Sequence, residues 1–255
     1  MNLRVATFNL HGQLRRWRDR RELIVQQLVE LHPDILCLNE ISVLGDTGRW
    51  LWRRARDFGL RYNYHQDNDP GYYWATDANA ILTRFPVVET GGFDYHSRGR
   101  HAQVAWLQLD GRLVDVYVTH LHHRRAEDSL REYQIQLLLG WVDSRDEPAA
   151  RVICGNFDAP PEARSFDLIR RRFQPTQLEP TMPTPLRLLV DPDPDADVWR
   201  HVRREPFQQC VDYIWYAPPL RISASGRCFD KLSAEDPVLL PSDHIGVWAD
   251  FELTS

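Results

Sequence analysis

Arg151-Val152-Ile153-Cys154-Gly155-Asn156-Phe157-Asp158-Ala159-Pro160 reads as a short buried strand that stops at a glycine and runs into two polar residues. The apolar run Val152–Cys154 anchors the strand. Asn156 and Asp158 are two apart, so an extended backbone sets them on one side, roughly 6–7 Å from each other. They then stand at the carboxyl end of the strand, where ligands of α/β sheets bind. Pro160 and Pro161 close the strand, and Glu162 to Phe173 reads as a helix. An Asx-rich turn produces the same pattern without any function. The argument for function is recurrence, because a strand followed by a polar end repeats along the chain.

Leu3 to Leu10 alternates, is rich in β-formers and ends Asn9-Leu10-His11-Gly12. Asp19 and Glu22 resemble a capping box, and Ile24, Leu28 and Leu31 fall at helical spacing before Pro33. Ile35-Leu36-Cys37-Leu38 is a second strand, ending Asn39-Glu40. A carboxylate behind four apolar residues needs a partner. Either a cation or one of the many arginines serves for Glu40. A short helix follows from Arg49 to Phe58. Residues 66–77 form a polar loop around Tyr72, Tyr73 and Trp74, which either packs the loop down or stacks on a base, sugar or lipid surface. Asn79 starts the strand Asn79–Leu82; with the aromatic trio it is a candidate substrate contact.

Asp110-Gly111 joins two strands, His101–Leu109 and Arg112–Leu121, as a hairpin. The second runs into His120-Leu121-His122-His123. A dinuclear zinc reading of these histidines fails on Arg124 and Arg125, which stand where further ligands belong. The alternative puts His120 alone at the site, with His122 and His123 on the surface. Ala126 to Val142 is an amphipathic helix with Leu130, Tyr133, Leu137 and Trp141 on one face. Residues 174–208 are Pro- and Asp-rich and irregular, either a substrate-selecting arm or a solvated insertion. Asp212 lies in the strand Val211–Trp215, and Asp243-His244 precedes a last strand, Ile245–Leu253.

The chain has 255 residues, 43% hydrophobic and 26% charged, and no linker divides it. One domain over 1–255 is expected, with the arm at about 174–208 inside it. A net charge of −5 argues against an overall electrostatic grip on nucleic acid, though local basic patches remain possible. Lys231 is the only lysine. Four cysteines without CxxC spacing indicate buried thiols. With neither a leader nor a long apolar run visible, a cytoplasmic protein without a transmembrane segment is expected, and a monomer.

Taken in order, the motifs TFN, NE, NAILTR, VTHL, GNFDAPP, VDYI and SDH resemble those of the endonuclease/exonuclease/phosphatase superfamily, from Thr7 to the final strand. The resemblance implies a four-layer α/β sandwich, two packed mixed sheets flanked by helices. It implies hydrolysis of a phosphate ester with Mg²⁺ or Mn²⁺, a phosphodiester being favoured. The substrate would be nucleic acid, a nucleotide or a phospholipid head group. Carried over by residue, Glu40 is the main metal ligand, with Asn9 and Asp243 close to the ion. His244, paired with Asp212, contacts the phosphate and takes part in proton transfer. His120 is a second phosphate contact or the proton donor to the leaving group. The chemistry agrees, since a hard cation held by oxygen ligands neutralises an anionic ester and a carboxylate–imidazole pair orients its ring.

One departure stands out. The family reads Gly-Asp-x-Asn where this chain reads Gly155-Asn156-Phe157-Asp158. An amide is a very poor base, so Asn156 cannot do the work of the usual Asp. The exchange leaves an enzyme with rearranged roles, a slow enzyme, or a phosphate-ligand or nucleic-acid binding module on the same scaffold. Asn39-Glu40, where Gln-Glu is commoner, is expected to matter little.

Overall fold

Apolar columns in the strands set the architecture. The computed structural model describes residues 2–12, 16–67, 77–97, 99–124, 126–145, 147–183, 208–236 and 239–253. Two six-stranded mixed sheets pack face to face. The first, in spatial order, contains β13 (Leu220–Cys228), β14 (Gly246–Leu253), β1 (Asn2–Asn9), β2 (Ile35–Ser42), β4 (Asp77–Thr83) and β3 (Asn63–Gln66). The second contains β5 (Val87–Ser97), β6 (Arg100–Leu109), β7 (Arg112–His120), β8 (Ala150–Asn156), β12 (Asp212–Tyr216) and β9 (Gln174–Pro175). A two-residue pair, β10 (Met182–Pro183) with β11 (Gln208–Gln209), lies apart. Within the sheets β1–β2 and β7–β8 are the parallel pairs, joined through α1 (Trp17–Leu31) and α3 (Asp128–Asp143); α2 (Thr47–Asp57) follows β2.

Side-chain alternation sorts each strand between two cores. Val5, Ile35, Cys37 and Ile81 from the first sheet meet Val116, Val118, Val152, Cys154 and Ile214 from the second. Ala6, Phe8, Leu36 and Leu38 point the other way, onto Ile24, Leu28 and Leu51 of α1 and α2. Tyr117, Ile153 and Trp215 pack on Ile135 and Leu138 of α3. Helix, sheet, sheet and helix form the four-layer α/β sandwich. Asp110 (φ 46°) and Gly111 (φ 81°) make the expected hairpin turn with both central residues left-handed.

Four local features differ from the sequence expectation. Arg16 is the N-cap of α1, without a side-chain cap bond, so Asp19 sits at the third helical position and pairs with Arg16 at 3.1 Å rather than capping. Two short 3₁₀ turns, Arg164–Asp167 and Ile169–Arg171, replace the helix at 162–173. The buried face of α3 is Arg131, Gln134, Ile135, Leu138 and Val142, while Tyr133 is exposed. Two polar side chains turn inward because the loop before α3 needs them. Arg131 donates to the carbonyls of His122 (3.1 Å) and Arg124 (2.7 Å), and Gln134 accepts from His122 N–H (2.9 Å). His122 is therefore buried, only 1% exposed, and not on the surface; His123 is exposed as expected. Among the described residues no helix is long and apolar enough to cross a membrane. Tyr72, Tyr73, Trp74 and most of the 174–208 arm lie outside the described residues.

Candidate active site

The inter-sheet columns do not stay apolar to their ends. Two residues beyond Cys37 stands Asn39, two beyond Val118 stands His120, and two beyond Cys154 stands Asn156; Asp212 and Asn79 each lie two before an isoleucine of the same core. Asn9 continues the Leu3–Val5 column. Strand register brings the ends level, with Asn9 opposite Asn39 and Asn156 opposite both His120 and Asp212. The site is the polar cap of the inter-sheet core.

Glu40 is out of phase with that column. A bulge in the β2–β4 pairing between Leu38 and Ile41, with Glu40 at φ 51°, re-aims its side chain. Its Oε1 accepts from Asn9 Nδ2 at 3.0 Å and its Oε2 from Gly12 N–H at 3.2 Å. Asn9 Oδ1 in turn accepts from His11 N–H at 2.9 Å. Burial pushes the Glu40 carboxyl up and Asp243 adds to that, but His120, His244 and the Asn9 bond outweigh both and hold it below the usual range. Beneath this loop the fully buried Arg20 donates to the carbonyls of Leu10 (3.0 Å), Pro241 (2.6 Å) and His11 (3.3 Å). It ties the Asn9–Gly12 segment to the loop that carries Asp243 and His244. His11 Nδ1 lies 3.3 Å from Asp243 Oδ1 across that junction.

The exchanged pair does not lie along one strand face as read. β8 ends at Asn156, and Asn156 Oδ1 accepts from Asp158 N–H at 2.9 Å, an Asx turn. Asp158 is left-handed (φ 51°), so the extended-chain spacing does not apply. The turn swings its carboxylate to 3.3 Å from His120 Nε2, which also lies 3.9 Å from Glu40 Oε1. Asp158 Oδ2 is buried without an aligned hydrogen bond, so the contact is electrostatic. Burial raises the Asp158 carboxyl, yet His120, Arg100 and His244 bring it below its ordinary value.

The two imidazoles differ. Burial, then the Arg100 charge, lowers His120 below 6.5 despite Asp158 and Glu40. Burial pulls His244 down too, but Asp212, Asp243 and Glu40 overcome it and carry it up to about 10. His244 Nδ1 sits 2.8 Å from Asp212 Oδ2.

Asn39, read as a minor departure, bolts the two sheets together. Its Nδ2 donates to Asn79 Oδ1 (2.8 Å) and Thr119 O (3.0 Å), and its Oδ1 accepts from Asn156 N–H (3.0 Å). Asn79 Nδ2 reaches His101 O at 3.2 Å, so both ends of its amide are engaged inside the protein. Gly155 (φ 128°) leaves the room: a Cβ there would lie 2.0 Å from Thr119 O and 3.1 Å from Asn39 Oδ1. Arg100 was not legible, because it belongs to no motif, yet it contacts both His120 and His123.

The family model of the Endonuclease/Exonuclease/phosphatase family matches residues 6–244. The chain belongs to this family. Nocturnin from Xenopus laevis is 25% identical over 263 residues, 92% of this chain and 65% of the relative. Nocturnin from Homo sapiens is 25% identical over 269 residues, 94% of this chain and 59% of the relative. The chain thus spans about three fifths of the length of these curated relatives. D. rerio TDP2 complexed with single strand DNA product superposes with a TM-score of 0.78 at 15% identity, covering 98% of this chain and 99% of that one. The human Nocturnin catalytic domain with bound sulfate anion gives 0.73 at 23%, covering 99% and 94%. At these identities the likeness is one of fold.

Endonuclease/Exonuclease/phosphatase members are generally divalent-metal dependent. The donor chemistry here fits such an ion. Glu40 has lone pairs beyond its two accepted bonds, and Asp243 is near enough to raise its carboxyl, a like-charge pair that a cation would relieve. Among the described residues no three His, Cys, Asp or Glu side chains converge as a closed cage. A small hard cation that keeps its waters and takes one or two carboxylates with a phosphate needs none.

Proposed function

We propose that the chain is a divalent-metal-dependent phosphoesterase that favours phosphodiesters and uses the exchanged Asn156/Asp158 pair in altered roles. The observation that carries this is Asp158: the Asx turn at Asn156 sets its carboxylate against His120 at 3.3 Å, beside the imidazole that would act as the base. Glu40 and Asp243 would hold Mg²⁺ or Mn²⁺, with Asn9 orienting Glu40 through its amide N–H. Bound there, the ion supplies charge neutralisation of the ester.

The remaining chemistry belongs to the side chains. Environments that push two like groups apart in pKa assign the acid and the base. His120 is held neutral, so it takes a proton from the water that Asp158 orients. His244 is held as imidazolium by Asp212, so it contacts the phosphoryl oxygens and gives a proton to the leaving group. Asn39 and Asn79 hold the sheet ends in register rather than touching substrate. D. rerio TDP2 complexed with a single strand DNA product shares the fold, which supports a phosphodiester substrate.

The other reading is a phosphate-ligand binding module. It is favoured by Asn156, whose amide oxygen is engaged in the turn. Hydrolysis of bis-p-nitrophenyl phosphate and p-nitrophenyl phosphate with Mg²⁺, Mn²⁺ or EDTA, beside Glu40→Ala, separates the two. Metal-dependent turnover, faster on the diester and lost in Glu40→Ala, is expected. Absence of both turnover and calorimetric metal binding would leave only the binding module.

A further inference from the structure

Arg100 opens β6 at the edge of the site. Its Nη1 lies 2.7 Å from His120 Nδ1 and 2.9 Å from His120 Nε2. The two ring nitrogens point away from each other, so one N–H cannot lie in the ring plane with both. The guanidinium therefore lies across the imidazole face. Its Nη2 is 3.3 Å from His123 Nδ1. A guanidinium only donates, so that nitrogen accepts, which leaves the His123 ring proton on Nε2 as a further donor. His123 is exposed, whereas His120 is buried. Arg100 thus runs outward from His120 toward solvent, while His120 Nε2 is also within 3.3 Å of Asp158 and 3.9 Å of Glu40.

Two described arginines of the loop and helix after His123 are matched. Arg124 pairs with Glu127, and Arg131 with Asp128. Among the described residues no carboxylate lies within 4.0 Å of the Arg100 guanidinium. Its charge is felt by Asp158, but no described carboxylate is bonded to it, so Arg100 can take an anion from outside. Its planar fork suits phosphate oxygens. On the proposed reading the reacting phosphate lies between Glu40 and His244, whereas Arg100 runs outward from His120 to the exposed His123, so the anion it would take is a second one.

We propose that Arg100 and His123 form a second anion subsite that takes a phosphate adjoining the one being hydrolysed. This rests on the phosphoesterase reading and narrows its substrate to molecules with neighbouring phosphates, a nucleotide or a strand end rather than an isolated diester.

The test compares the p-nitrophenyl ester of thymidine 5′-phosphate with the same ester carrying a 3′-phosphate, on wild type, Arg100→Ala and Arg100→Lys. The wild type is expected to favour the ester with the second phosphate, mainly through KM. In Arg100→Ala the ratio of the two kcat/KM values is expected to fall about tenfold, as for loss of a charged hydrogen bond, with partial rescue by lysine. Equal losses on both esters would overturn the subsite, because support of His120 or contact with the reacting phosphate lowers both alike. An unchanged ratio would overturn it as well. Calorimetry of thymidine 3′,5′-bisphosphate against thymidine 5′-phosphate in EDTA reads the subsite without turnover. A bisphosphate advantage lost in Arg100→Ala, with neither ester hydrolysed, would uphold the subsite and sink the phosphoesterase reading. Hydrolysis with no bisphosphate advantage would do the reverse.

Discussion

The two sheets are built on one plan and deliver opposite chemistry. Each centres on a parallel pair joined through a helix, β1-α1-β2 in one and β7-α3-β8 in the other. The first unit delivers a carboxylate, Glu40, held by donors from Asn9 and Gly12. The second delivers His120, with Arg100 across its ring and Asp158 at its edge. One architecture thus delivers a carboxylate from one half and an imidazole with a guanidinium over it from the other, which the proposed function uses as the cation seat and as the base with its anion contact. Crossings that join the halves at the site include Asn39 onto Asn156 and Thr119, Asn79 onto His101, and His244 onto Asp212.

Breaking the first half should cost most. Glu40→Ala removes the proposed principal seat of the ion, and several kcal/mol of charge stabilisation corresponds to a loss on the order of 10³-fold in kcat/KM. Metal titration by calorimetry should lose its signal in the same variant. The seam between the halves comes next. Gly155→Ala places a methyl 2.0 Å from Thr119 O at φ 128°, so thermal unfolding should show a loss of about 3 kcal/mol.

The His244 crossing sharpens the contrast between the two imidazoles. Because Asp212 and its neighbours raise His244 to about 10, its contribution to stability is complete below the unfolded value near 6.5 and is lost as pH rises through 10. The activity profile should be flat between an acid limb below pH 6.5 from His120 and an alkaline limb near 10 from His244. Asp212→Asn should move the alkaline limb toward neutrality and lower kcat on the order of 10²-fold. An alkaline limb that stays in place would assign it elsewhere. The smallest effect belongs to the Asn39 bolt. Asn39→Ala strands the Asn156 N–H and the Asn79 Oδ1, at about 2 kcal/mol of stability by chemical denaturation. Asn39→Gln should recover part of that if the longer amide still reaches Thr119 O.

The strand ends were legible because a period of two carries an apolar column into its polar cap: Cys37 into Asn39, Val118 into His120, Cys154 into Asn156. What broke phase was not. The aim of Glu40 depends on a bulge against β4, a pairing distant in sequence. In sequence the turn at Asn156 is only the bland alternative to a strand face, yet it is the device that moves Asp158 to His120. Helix α3 was turned wrongly because apolar spacing cannot announce that Arg131 and Gln134 are needed inside, under the His122 loop. Arg100 carried no local signal at all, since only the β6–β7 pairing brings it over His120.

The proposed chemistry depends on Asp158 as the working carboxylate, and kcat of Asp158→Asn on bis-p-nitrophenyl phosphate with Mn²⁺ tests it most directly. A loss on the order of 10²–10⁴-fold is predicted, with the double variant Asn156→Asp/Asp158→Asn no better than the single one. Turnover within a few-fold of wild type, or a double variant faster than wild type, would contradict it.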